Sequence, residues 1–162
     1  MFATRIKQGI MGGIMGGVVF GVMMGFMGML PMIGKMVGQP NVVVGFLMHM
    51  MISAGIGASF GVIFGAFANT TVKATVSGMV YGAIWWVLGP LTMMPLMMGM
   101  GFGTNWNLMA AQNMLPSLMG HIIFGVVMGF AYSRGESCLL ARLFKLGSEP
   151  VQEEERPAPR AV

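Results

Sequence analysis

A chain of 162 residues that is 56% hydrophobic and 9% charged has room for one domain, and that domain is not one built to be surrounded by water. All five acidic residues (Glu136, Glu149, Glu153, Glu154, Glu155) lie beyond position 135, so the longer stretch before them has no carboxylate with which to make a solvated surface. The net charge of +4 does not point to nucleic acid, because the basic residues stand singly between apolar runs and form no patch.

Four apolar runs are long enough to cross about 30 Å of hydrocarbon at about 1.5 Å per residue. The first covers about residues 9–33. Arg5 and Lys7 before it resemble the start of a signal peptide, but the run is too long and lacks a small-residue cleavage site, so it reads as a retained helix. The second covers about 42–68, after a Gly- and Pro-containing connection. The third covers about 76–99, with Pro90 and Pro95 expected to kink its far half, and the fourth about 113–133, with Pro116 in its first turn, where proline is tolerated. The expected fold is all-α, an integral membrane four-helix bundle in residues 1–135. An amphipathic surface helix is expected over 136–147, and a Pro- and Glu-rich disordered tail over 148–162.

Of the nine Lys and Arg, all but Lys35 fall on one side of this topology, which puts both termini in the cytoplasm. Phe102 and Trp106 in the last outer loop suit an interfacial anchor. The Asn69-Thr70-Thr71 sequon falls on the cytoplasmic side and is discounted. Cys138 is the single cysteine; it permits no intrachain disulfide and is read as a free thiol.

The two halves resemble each other. Gly17-Val18-Val19-Phe20-Gly21 parallels Gly78-Met79-Val80-Tyr81-Gly82, Leu30-Pro31 parallels Met94-Pro95, and His49 parallels His121, each followed eight residues later by glycine (Gly57, Gly129). Each half is then a helical hairpin, and two hairpins with an even number of crossings form parallel repeats. The stretch Gly120-His121-Ile122-Ile123-Phe124-Gly125-Val126-Val127-Met128-Gly129, following Gly89-Pro90-Leu91-Thr92-Met93-Met94-Pro95, resembles a family of small four-helix prokaryotic membrane proteins of unassigned function, over about residues 10–133. That resemblance implies the fold and a multi-pass location in the cytoplasmic membrane of a prokaryote, and it implies no activity. Methionine where leucine would be ordinary is this chain's departure.

Three features are candidates for function. Gly9, Gly13, Gly17, Gly21 and Gly25 recur every fourth residue; Ser53, Gly57, Gly61 and Gly65 do so in the second span, and Gly125, Gly129 and Ser133 in the fourth. Such ridges let helix backbones approach closely, so they are read as helix packing. Gly12 and Gly16 make a second ridge on the first helix, which implies a further neighbour.

His49 and His121 are the only histidines, and both lie on small-residue ridges at similar depth. A histidine hydrogen-bonded across a helix interface explains them without a ligand. Alternatively, facing imidazoles could hold haem b between glycine-lined helices, or copper, which accepts imidazole and thioether alike. Of the 22 methionines, Met32, Met36, Met48, Met50 and Met51 cluster near the outer end of one half and Met93, Met94, Met97, Met98 and Met100 near that of the other. They act as adaptable packing or as a soft-metal mouth.

A proton relay lacks its carboxylates. A channel for a small neutral solute lacks a polar lining. The Trp85-Trp86 pair suits an internal or cofactor-facing position better than lipid. No catalytic motif is present, and the function expected is non-enzymatic: an accessory subunit of a membrane complex or a homo-oligomer, packed against lipid and other transmembrane helices. The alternative is a haem b- or copper-binding protein using His49 and His121.

Overall fold

A computed structural model describes residues 2–135. The expected surface helix at 136–147 and the tail at 148–162 lie outside the described residues. Four helices are long and apolar enough to cross a membrane, and the described residues contain no strand.

Helix α1, Phe2–Phe26, starts earlier than its apolar run and stops short of residue 33. Gly28, at φ 67°, supplies the left-handed residue that ends a helix. Pro31 then sits in the first turn of a short α2, Leu30–Lys35. Helix α3, Val42–Ile63, is capped by Asn41, whose side chain accepts the Val43 N–H at 2.7 Å; its apolar run continues to 68 but the backbone turns after Ile63. Helix α4, Thr71–Leu88, is capped by Thr70.

Proline does more at the end of α4 than kink it. Pro90 has no N–H to continue the α-helical ladder, and Gly89–Met93 becomes a π-helical turn leading into α5, Met94–Met97. Thr92 Oγ1 donates to the Val87 carbonyl at 2.7 Å and so occupies one of the groups that the wider turn releases. Helix α6, Leu108–Asn113, and helix α7, Leu115–Ser133, are the last elements among the described residues.

Helix α1 is the centre of the bundle. It packs against α3 on one side and α7 on the other, and α4 packs against α7. Glycine makes this possible. A Cβ at Gly9 would overlap the Gly57 carbonyl, one at Gly13 the Ser53 carbonyl, and one at Gly17 would lie 2.6 Å from Ser53 Cβ. The second hairpin uses the corresponding positions: Ala74 meets Gly129, Gly78 meets Gly125 and Gly82 meets His121, as Gly13 meets Gly57, Gly17 meets Ser53 and Gly21 meets His49. Gly25 lies past this contact; a Cβ there would have only Leu30 Cδ1 near it, at 3.6 Å.

The second ridge on α1 is used inside the bundle. A Cβ at Gly12 would lie 2.6 Å from the Met128 carbonyl, and one at Gly16 2.6 Å from the Phe124 carbonyl, both on α7. The further neighbour that Gly12 and Gly16 imply is therefore α7 of the same chain.

The fourth side of the bundle differs. Helices α3 and α4 meet chiefly at Tyr81, whose hydroxyl is 2.8 Å from Ser59 Oγ and whose ring contacts Phe60 and Phe64. Above this contact the two helices diverge. Arg5, Lys7, Lys73 and Arg134 share the end of the bundle where Arg5 approaches Gly65 and Ser133 Oγ donates to Thr71 Oγ1 at 3.3 Å. Lys35 is at the opposite end, with α2 and α5.

Candidate functional site

The divergence of α3 from α4 leaves a cavity of about 500 Å³. Both histidines line it. So do Met24 near the end of α1, Met29 at the start of α2, Met36 just beyond α2, and Met93 and Met94 at the π-helical turn. Gly55 and Ile52 form part of the wall while remaining exposed, so the cavity opens between α3 and α4. Its size is in the ordinary range for ligand sites, and its wall is mostly apolar with a few polar groups, as such sites are.

The small-residue ridges set the position of each imidazole. His49 is 7% exposed on the ridge it shares with Gly45 and Ser53. Its Nε2–H donates to the Gly17 carbonyl of α1 at 2.9 Å. A carbonyl cannot donate, so the proton is on Nε2, and Nδ1 carries the lone pair. Ser53 Oγ is 3.4 Å from the same Nε2.

His121 reaches the same electronic state by a different bond. Its Nδ1–H donates to the Ser117 carbonyl of its own helix at 2.8 Å, which leaves Nε2 as the lone-pair nitrogen. A Cβ at Gly89 would lie 3.9 Å from that nitrogen, which places it against the π-helical turn. The two hairpins therefore place their histidines at corresponding positions but fix them through different partners.

Both rings lie about 10 Å along their helices from the end that carries α2 and α5, at about 1.5 Å per residue. Phe20 joins them. Its ring is edge-on to both imidazoles, with centroids 5.5 Å from His49 and 4.8 Å from His121. Gly120 makes room for it, since a Cβ there would overlap the Phe20 ring. Phe20 belongs to the Gly17–Gly21 motif, yet periodicity alone gave no reason to separate it from the other apolar residues of α1.

Trp85 and Trp86 take different roles. Trp86 Nε1–H donates to the Met114 carbonyl at 3.1 Å. Trp85 is part of the cavity wall and its ring stands perpendicular to Tyr81. Its Nε1 is buried without an acceptor among the described residues. The imine nitrogens of the two histidines also lack a hydrogen-bond partner among the described residues but are not buried in that sense; both rings line the cavity.

The methionines divide. Met36, Met93 and Met94 are on the cavity wall, whereas Met32, Met51, Met97 and Met100 are exposed on the bundle surface. Met24 and Met29 also line the cavity, although the outer clusters do not include them. No group of three or more His, Cys, Asp or Glu gathers among the described residues. Any soft-metal site would have to be completed by thioethers.

The fold and site together define a multi-pass helical membrane protein with a histidine- and methionine-lined cavity inside the bundle. Compared with protein-family models, curated proteins and solved structures, the chain matches none.

Proposed function

We propose that the protein is a non-enzymatic membrane component that binds Cu(I) in the cavity through His49 and His121, with thioether ligands drawn from Met24, Met29 and Met94 on its wall. One observation carries this reading: each imidazole donates its N–H to a backbone carbonyl, so that its other nitrogen keeps a lone pair, and both rings line the same methionine-lined cavity. Metal-binding histidines are ordinarily held in this way, the second nitrogen fixing the tautomer and the ring orientation.

The donor set selects the ion. Thioether and neutral imidazole suit soft Cu(I), whereas Zn(II) sites draw on thiolate, carboxylate or further imidazoles. A divalent ion would also need counter-charge, and residues 1–135 hold no carboxylate side chain. A monovalent ion costs less to bury in such surroundings. Haem b is the weaker form of the reading, because bis-imidazole ligation makes no use of the thioethers that line the cavity.

The accessory-subunit or homo-oligomer reading has a narrower basis once α7 occupies the Gly12 and Gly16 ridge. It is supported by the open seam between α3 and α4, where a further helix could pack over Ile52 and Gly55. We read the two hairpins as duplicated, on the recurrence of their glycine contacts, and place the protein in the cytoplasmic membrane of a prokaryote with its basic end inside.

Anaerobic competition between the purified protein and the Cu(I) chelator bicinchoninate tests the proposal. The expected result is one Cu(I) per chain, with affinity reduced at least about tenfold by His121→Ala, since even an outer-shell partner is worth that much. A chain that fails to withdraw Cu(I), or whose affinity neither histidine substitution changes, would show that the cavity is not a copper site. A Soret band in the protein as isolated would favour haem.

A further inference from the structure

We propose that Cu(I) is loaded from the end of the bundle carrying α2 and α5, over a rim formed by Met36 and Met93. This rests on the copper reading and adds to it a direction and two residues that set a rate. The far end of the cavity is closed. Below Ser59 and Phe124, the wholly buried Phe60 stacks on Phe64 and stands edge-on to Tyr132. That end also carries Arg5, Lys7, Lys73 and Arg134, whose field repels an approaching cation.

The opposite end has the reverse character. Lys35 is its only cation among the described residues, and its surface displays thioethers, with Met32 40% exposed and Met97 51% exposed. Met93 is 48% exposed and also lines the cavity, so it belongs to the surface and the wall together. Met36 is partly exposed and lines the wall from the α2 side. Thioethers bind Cu(I) without holding a proton that must first leave, and they exchange it readily with stronger imidazole ligands. Met36 and Met93 receive the ion, and His49 and His121 retain it.

The test separates rate from affinity. Transfer of Cu(I) from bicinchoninate to the detergent-solubilised protein is followed by stopped-flow loss of the chelate's colour, for the wild type and the Met36→Leu, Met93→Leu double variant. Leucine keeps the apolar volume and removes the sulfur. The double variant is expected to load about tenfold more slowly, which corresponds to about 1.4 kcal/mol of barrier, with its equilibrium affinity unchanged. Loading at the wild-type rate would overturn the proposal. So would an affinity loss as large as that of His121→Ala, because the two sulfurs would then be permanent ligands. If the wild type takes up no Cu(I), the copper reading fails and this inference with it; if it binds but the variant loads normally, only the rim is wrong.

Discussion

The Nε2–H of His49 is bonded to the carbonyl of Gly17, 2.9 Å away, across the contact between α3 and α1. The bond makes His49 a structural donor through one nitrogen and a free base through the other. His49→Gln should separate the two roles, since the glutamine amide supplies an N–H toward Gly17 but has no imine nitrogen. Thermal stability in detergent should be nearly unchanged, as such a bond contributes only about 0.5–1.5 kcal/mol. Cu(I) affinity should fall at least about tenfold. Full copper affinity in this variant would remove His49 from the site.

Two glycines of α3, one residue apart from being neighbours, should respond oppositely to alanine. A Cβ at Gly57 would overlap the Gly9 carbonyl and lie 2.8 Å from Gly13 Cα. Backbone cannot move aside as a side chain can, so Gly57→Ala should lower stability by at least the 1–3 kcal/mol typical of overpacking, about 3 kcal/mol or more. At Gly55 a Cβ would meet nothing within 4 Å. Gly55→Ala should therefore raise stability by up to about 1 kcal/mol through helix propensity. Thermal melts of the two variants in the same detergent decide it, and equal effects would contradict the glycine interface.

Much of this was legible in the sequence. The four spans, the His49 and His121 ridges and the corresponding glycines of the two halves follow from spacing, because close helix packing leaves a repeating small residue wherever backbones meet. What spacing does not encode is which helices become neighbours. The Gly12 and Gly16 ridge announces a partner without naming it, and α7 of the same chain satisfies it as well as a separate protein would. Pro90 signals an interruption but not its form, since the π-helical turn depends on Thr92 reaching the Val87 carbonyl. Phe20 was hidden for a related reason: its role comes from touching two helices distant in sequence.

The seam between α3 and α4 should be held by Tyr81 more than by any other residue. Tyr81→Phe removes its 2.8 Å hydrogen bond to Ser59 while keeping the ring contacts with Phe60 and Phe64. Ser59 retains the Ile56 carbonyl as its acceptor, so no buried donor is orphaned. The expected loss is about 0.6 kcal/mol, the average for such bonds within membrane bundles. A drop several times larger in the thermal melt would mean that the hydroxyl serves more than Ser59.

Trp85→Phe should behave differently. The Trp85 Nε1–H is buried without an acceptor among the described residues, and an unsatisfied buried donor costs about 1–3 kcal/mol. Phenylalanine removes the donor and part of the ring, so lost packing offsets the gain and stability should hold or rise. A clear fall in the melting temperature, with Trp86→Phe as the comparison, would show that the indole N–H has a partner.

The gathering of Arg5, Lys7, Lys73 and Arg134 at one end predicts that this end faces the cytoplasm. A membrane-impermeant maleimide applied to intact cells should leave Cys138 unlabelled and should label a cysteine placed at Lys35 in a Cys138→Ser background. Labelling of Cys138 from outside would reverse the topology, and with it the side from which copper is loaded.

The most direct test of the copper site is X-ray absorption at the copper edge of the anaerobically loaded protein. The expected spectrum has an edge characteristic of Cu(I), imidazole scattering at the nitrogen distance of about 2.0 Å, and a sulfur shell near 2.3 Å, taking the corresponding zinc bond lengths as the scale. Imidazole scattering should weaken in His49→Gln and in His121→Ala, while the sulfur shell persists. A first shell of sulfur alone, or one identical in the wild type and both variants, would contradict a site built on His49 and His121.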